Sequence, residues 1–207
     1  MNYDYEQQKI DQGYRYICGI DEAGRGSLAG PLVAAAVILK PKPVDFFDSV
    51  KDSKVLSEKK RSALLDAIIR EAVTWSIGLA THGELDKHGL AFANKIAMKR
   101  AWQNLYVKPD FIATDYIAKI SFETPFEAIV DGDNKVISIA AASIVAKVFR
   151  DRMMEAFGRK YPDYGFEQHK GYGTKFHRDQ LNNLGPCDIH RKTFGPVKAK
   201  LFQVEGG

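Results

Sequence analysis

Asp21 and Glu22 are adjacent carboxylates. They stand between a short apolar stretch, Ile17 to Ile20, and the triplet Gly24-Arg25-Gly26. Two like charges side by side raise each other's pKa unless a cation intervenes. A hard divalent ion such as Mg²⁺ prefers carboxylate and water oxygens. Glycines let backbone N–H groups approach a ligand closely, and Arg25 offers a fixed fork of donors for phosphate or sugar oxygens. The stretch therefore reads as a corner where metal and phosphate meet. Asp115 follows the apolar run 111–114, and Asp133 follows Gly132 after the run 126–130, with Asp131 as a near neighbour. Acids at the ends of separate strands can converge at the edge where α/β sheets bind ligands. Four carboxylates at one point repel; two divalent ions roughly 3.5–4 Å apart would relieve that and clamp a scissile phosphate. The pattern points to metal-assisted phosphodiester hydrolysis, although spacing alone does not establish convergence, because strands also end in Asp for turn reasons.

The elements that must position these acids follow from hydrophobic period. Residues 14–20 and 32–39 read as strands flanking the glycine-rich loop. The second is a near-continuous apolar run, as expected of a strand buried on both faces. Ser57 is a good N-cap for a helix to about residue 72, with Leu64, Leu65, Ile68 and Ile69 on one face. Strands are expected at 74–79, 111–114 and 126–130, and a helix at 85–105 broken near Gly89. A long apolar helix is expected at 137–157, its Ala140-Ala141-Ala142 packed closely on a sheet. A basic-aromatic loop at 165–176 and a helix to about Leu184 follow. The order predicts an α/β fold: a mixed sheet flanked by helices with a small helical C-terminal appendage. The expected division is a polar leader at 1–15, a catalytic domain at 16–160 and a substrate-binding appendage at 161–207.

At 207 residues and 45% hydrophobic the chain can build a real core. No stretch approaches eighteen apolar residues, which argues against a membrane span, and the polar N-terminus lacks the apolar stretch of a signal peptide. Two cysteines, Cys18 and Cys187, make neither a disulfide framework nor a metal spacing, which suits a reducing, cytoplasmic setting. Cys18 reads as a small core residue. The formal charge of +4 is unevenly spread. Residues 134–200 hold 13 Lys and Arg against 6 Asp and Glu, whereas residues 1–133 hold 17 against 19. The basic half could hold phosphates. Within it, Ser143 could donate to a phosphate, and Tyr172, between two glycines, is placed to stack on a sugar or base. His169, His177 and His190 lack a metal-ligand pattern and read as substrate-side or structural.

Taken together, GIDEAGRGSLAGP at 19–31, DSKVLSEKKR at 52–61, FIATD at 111–115, GDNKVISIAAASIVAKVFRDRM at 132–153, HKGYGTKFH at 169–177 and HRKTFGPVK at 190–198 resemble type II ribonuclease H (ribonuclease HII). The motifs keep that family's order across about residues 16–200, and the GRG triplet sides with type II rather than type III. The resemblance implies an RNase H-like fold and a metal centre at Asp21, Glu22, Asp115 and Asp133, with Asp133 preferred over Asp131 because it follows glycine. It implies Mg²⁺ or Mn²⁺, two ions during catalysis, and substrate contacts from Gly24, Arg25, Gly26, Lys54, Ser143 and Tyr172. The implied reaction is cleavage of the RNA strand of RNA–DNA hybrids and nicking 5′ of single ribonucleotides in duplex DNA. It would leave 3′-hydroxyl and 5′-phosphate ends and serve ribonucleotide and RNA-primer removal. A monomer acting on nucleic acid, without a membrane partner, is implied too. One departure is Tyr116-Ile117-Ala118-Lys119 after Asp115, where many members have a small residue next.

Overall fold

Eight successive buried residues, Leu32–Leu39, make the strand around which both layers of the molecule pack. Successive side chains of a strand point to opposite faces. Ala35, Val37 and Leu39 enter one core, whereas Leu32, Ala34, Ala36 and Ile38 enter another. A strand with two apolar faces is stable only between two helical layers, and two are present. The computed structural model describes residues 3–41, 57–115 and 120–204. Among these the strands are β1 (Ile17–Ala23), β2 (Leu32–Leu39), β3 (Ala72–Ala80), β4 (Phe111–Asp115) and β5 (Phe126–Ile129). They form one sheet in the order β3-β2-β1-β4-β5. β1 and β2, and β2 and β3, run antiparallel, whereas β1 and β4, and β4 and β5, run parallel. The mixed sheet flanked by helices expected from the sequence is what forms.

The described helices are α1 (Asp4–Asp11), α2 (Glu58–Glu71), α3 (His82–His88), α4 (Leu90–Gln103), α5 (Ile137–Lys160), the single turn α6 (Phe166–His169), α7 (Lys175–Leu184) and α8 (Gly195–Val204). The Ser57 side chain caps α2 by accepting the Lys60 N–H at 3.4 Å. The break expected near Gly89 falls there, between α3 and α4, with Gly89 at φ 85°. Helices α2 and α5 cover one face of the sheet and α4 the other. The α5 helix lies so close to β1 that a Cβ on Gly19 would stand 2.0 Å from the Ser138 carbonyl carbon. That contact fixes the height of α5, and hence of Ser143, over the sheet.

The leader is not loose chain. It forms α1, and its buried Glu6 accepts the Ser138 N–H at 2.9 Å. A carboxylate thereby caps the N-terminus of α5, where the helix offers unpaired N–H groups. The C-terminal helices build a small core of Tyr164, Phe166 and Ile189, which Ala29 and Met154 complete. Backbone bonds from Leu28 N to Gly171 O (2.8 Å), Gly30 N to Ile189 O (2.9 Å) and Arg191 N to Leu28 O (2.8 Å) stitch this part to the loop after β1. Among the described residues no helix is long and apolar enough to cross a membrane.

Candidate active site

The pleat of β1 explains how two adjacent acids serve one site. The strand was expected to end at Ile20 and release Asp21 and Glu22 into the loop. Instead it runs through Ala23, so both acids are strand residues. Their partners on β2, Ala35 and Ala34, carry the ladder past Ile20. Adjacent strand positions face opposite sides. Asp21 faces α5, where the nearby Ser143 side chain favours its charged form, and Glu22 faces α4, where Asn94 does the same. The parallel ladder pairs Ile20 with Thr114, so Asp115, one residue on, follows beside Asp21.

Electrostatics join these three acids. Burial raises Asp21 far above the ordinary carboxylate range, the charges of Glu22 and Asp115 add to this, and the nearby Ser143 side chain opposes it. Glu22 is raised by burial and by Asp115, against Asn94 and Arg25. Arg25 approaches Glu22 only to 3.8 Å from an exposed position. Glu22 Oε2 is buried with no partner among the described residues. An orphaned carboxylate oxygen among repelling acids, built from hard oxygen donors, fits a divalent cation. Among the described residues no three acidic, His or Cys side chains stand in a ready-made ligand cage.

Asp133 was expected at a strand end. It lies instead in a 3₁₀ turn, Gly132–Asn134, beyond the end of β5. The turn is tied to the acids through its neighbour, since the Gly132 N–H donates to Asp115 Oδ1 at 3.0 Å. Lys54 and residues 116–119 lie outside the described residues.

Beside the acids runs an open groove of about 330 Å³. Glu22, Gly24, Arg25 and Gly26 line it, as do Ser143, Lys147 and Tyr172. Gly24 has φ 91°, and a Cβ there would sit 1.9 Å from Arg150 Nε, so only glycine fits. Tyr172 is 37% exposed, with Lys147 Nζ 5.5 Å and the Arg150 guanidinium 5.4 Å from its ring centre. It therefore belongs to the groove surface rather than the core. Lys147 and Arg61 both pair with Asp151, at 2.6 and 3.6 Å, which holds two cations at the groove.

Sequence reasoning assigned no role to Asn94, Arg61, Arg150 or Arg191. Asn94 had a signal, being a polar residue on the otherwise apolar stripe of Ala93, Ala97 and Ala101. His177 and His190 are buried and hydrogen-bonded to each other, and buried His169 stacks on His177 with its ring held by the Tyr164 carbonyl and the Gly171 N–H; none lines the groove.

The sequence profile of the ribonuclease HII family matches residues 18–197. Ribonuclease HII of Listeria monocytogenes is 48% identical over 95% of this chain and 75% of its own length. That of Acholeplasma laidlawii is 46% identical over 98% of both chains. The crystal structure of ribonuclease H2 from Pyrococcus horikoshii superposes with a TM-score of 0.79 at 26% identity, covering 93% of this chain and all of that one. On this profile match and these identities, the chain belongs to the ribonuclease HII family.

Proposed function

We propose that the protein is a divalent-metal-dependent endonuclease that hydrolyses the RNA strand of RNA–DNA hybrids. It also nicks 5′ of single ribonucleotides in duplex DNA, leaving 3′-hydroxyl and 5′-phosphate ends. Membership of the ribonuclease HII family supports the coarser activity, a ribonuclease H that hydrolyses RNA paired with DNA. The observation that carries the rest is the placement of three mutually repelling acids beside a groove lined by the GRG loop and by Lys147 and Tyr172.

Asp21, Glu22, Asp115 and Asp133 would hold the ions, Mg²⁺ or Mn²⁺. Two bound ions would activate a water at neutral pH and stabilise the attacking and leaving oxygens of an in-line displacement. The chain's own residues do the remainder. Ser143 and Asn94 fix the Asp21 and Glu22 carboxylates from opposite faces of the sheet. Lys147 and Arg61, ordered by Asp151, and Lys54 offer cations to the phosphates on either side of the cut. Gly24, Arg25 and Gly26 present donors to sugar and phosphate oxygens, and the 2′-hydroxyl is what tells RNA from DNA. Tyr172 offers a flat face to a sugar or base.

The test uses end-labelled RNA–DNA hybrid, DNA duplex with one ribonucleotide, and all-RNA duplex, each with Mg²⁺, Mn²⁺ or EDTA. The first two should be cut only with metal, the single-ribonucleotide duplex 5′ of the ribose, and the 3′ ends should prime a polymerase. Absence of metal-dependent cleavage of both would overturn the proposal. Cutting of the continuous hybrid alone would remove the single-ribonucleotide part.

A further inference from the structure

Two arginines, Arg150 and Arg191, are fully buried, and every hydrogen bond they make ends on a backbone carbonyl. Arg150 donates to Pro31 O (3.0 Å), Ala29 O (3.2 Å) and Lys170 O (2.9 Å). Arg191 donates to Gly30 O and Arg25 O, both at 3.0 Å, and its Nη2 is buried without a partner among the described residues. Burial, then the charge of Arg150, lowers the Arg191 guanidinium to about 9. Replacing buried charges with apolar side chains is often neutral or stabilising. Two such cations side by side are a costly way to hold a loop unless the geometry they impose matters.

What they impose can be read from the peptide bond. The Arg25 carbonyl and the Gly26 N–H belong to one planar trans unit, and the described chain has no cis peptide. In a trans unit the two point in opposite directions. A carbonyl pulled inward by Arg191 therefore turns the Gly26 N–H outward. That N–H has no acceptor among the described residues, Gly26 lines the groove, and a Cβ there would meet nothing within 4 Å. A cation on the carbonyl also polarises the unit and strengthens its N–H as a donor.

We infer that Arg191, backed by Arg150, is a positioning residue for ribose recognition, which anchors the Arg25 carbonyl so that the Gly26 N–H stands in the groove as a fixed donor to the 2′-hydroxyl. The inference rests on the ribonuclease reading above. It adds the residue that aims the loop, which makes no contact with substrate itself.

The experiment measures binding in Ca²⁺, in place of Mg²⁺, of a DNA duplex with one ribonucleotide and of the same duplex all in DNA. Wild type should prefer the first. Arg191→Met should shrink that preference by about 2- to 12-fold, the net worth of one hydrogen bond, while affinity for the all-DNA duplex stays level. Arg191→Lys keeps a charge but reaches one carbonyl and should fall between. A residue that merely held the fold would weaken both duplexes together. In wild type, the ¹⁵N-labelled Gly26 amide resonance should move on adding the ribonucleotide duplex and hold still with the all-DNA duplex. That measurement decides the matter even where Arg191→Met fails to fold. An unmoved Gly26 amide, or an unchanged preference in a folded Arg191→Met, overturns the inference. A wild type that neither cuts hybrid nor prefers the ribonucleotide duplex sinks the ribonuclease reading instead.

Discussion

Two clusters of like charge are buried beside the groove, and they are resolved in opposite ways. Asp21, Glu22 and Asp115 carry negative charge, and the exposed Arg25 comes only to 3.8 Å from Glu22. Burial and mutual repulsion lift Asp21 and Glu22, and one Glu22 oxygen has no partner among the described residues. Arg150 and Arg191 carry positive charge, yet five backbone carbonyls accept their hydrogen bonds. The acid cluster is left open to a partner from solvent, whereas the chain itself supplies five acceptors to the arginine cluster and, among the described residues, leaves Arg191 Nη2 alone without one. Burial of like charge thus does not by itself mark a ligand site. What distinguishes the two is whether the fold already supplies the compensating groups.

The sharpest way to break this contrast is to remove one charge from the open cluster. Asp21→Asn or Asp115→Asn should cut turnover on hybrid by at least ~10³, because several kcal/mol of transition-state stabilisation pass through these carboxylates. In EDTA Asp21→Asn should melt at or above the wild-type temperature. A carboxylate whose folded pKa is raised destabilises the fold where it is ionised, and the amide has no charge to bury. Turnover within tenfold of wild type, or a clear fall in melting temperature, would show that the acids serve packing.

A third buried group, the histidines, tests the rule that internally satisfied clusters hold rather than bind. His177 Nδ1 lies 2.9 Å from the Tyr172 carbonyl and must donate to it. Its Nε2 then accepts from His190 Nε2 at 3.1 Å, which leaves His190 Nδ1 to accept the Cys187 N–H at 3.0 Å. The chain closes with both rings neutral. Burial lowers each to about 4, against about 6.5 for a free histidine. The unfolded chain therefore binds the extra protons first as pH falls. Their contribution should be intact above about pH 6.5 and be lost progressively towards about pH 4, a matter of a few kcal/mol for the pair. Urea melts at pH 7 and pH 5 should differ by that order, and His190→Gln should flatten the difference. An equal slope in the variant would place the acid sensitivity elsewhere.

The legible and illegible parts of the molecule divide along the same line. The alternation that sends Ala35, Val37 and Leu39 one way and Leu32, Ala34, Ala36 and Ile38 the other is local, so the central strand could be bounded to the residue. The Ser57 cap and the Gly89 break are local too. The acids were legible as chemistry but not as structure. Two carboxylates read as loop residues because an isolated strand gains nothing by burying them, and only α4 and α5 supply Asn94 and Ser143 to hold them. The arginine clamp was invisible, because its acceptors are carbonyls, which every residue carries. Nothing in the side chains of residues 25–31 announces that their backbone will receive Arg150 and Arg191.

Tyr172 stands where the two regimes meet, and its replacement gives the smallest effect of the three. Its backbone belongs to the closed network, with its N–H on the His169 carbonyl at 2.9 Å and its carbonyl held by His177. Its ring belongs to the open groove, between Lys147 and Arg150. A ring so fixed can set the register of a nucleic-acid strand by stacking on the sugar at an RNA–DNA junction. Stacking of this kind is worth about 1–3 kcal/mol by alanine substitution. Tyr172→Ala should therefore lower kcat/KM on a DNA duplex with one ribonucleotide by roughly 5- to 150-fold. The loss on a continuous RNA–DNA hybrid should be smaller, because many registers are productive there and only one is productive at a lone ribonucleotide. Tyr172→Phe keeps the ring and should restore most of the loss. Both substrates are measured side by side with all three proteins. An equal loss on the two substrates would move Tyr172 into the closed network, as a residue that holds the loop and does not sense the junction.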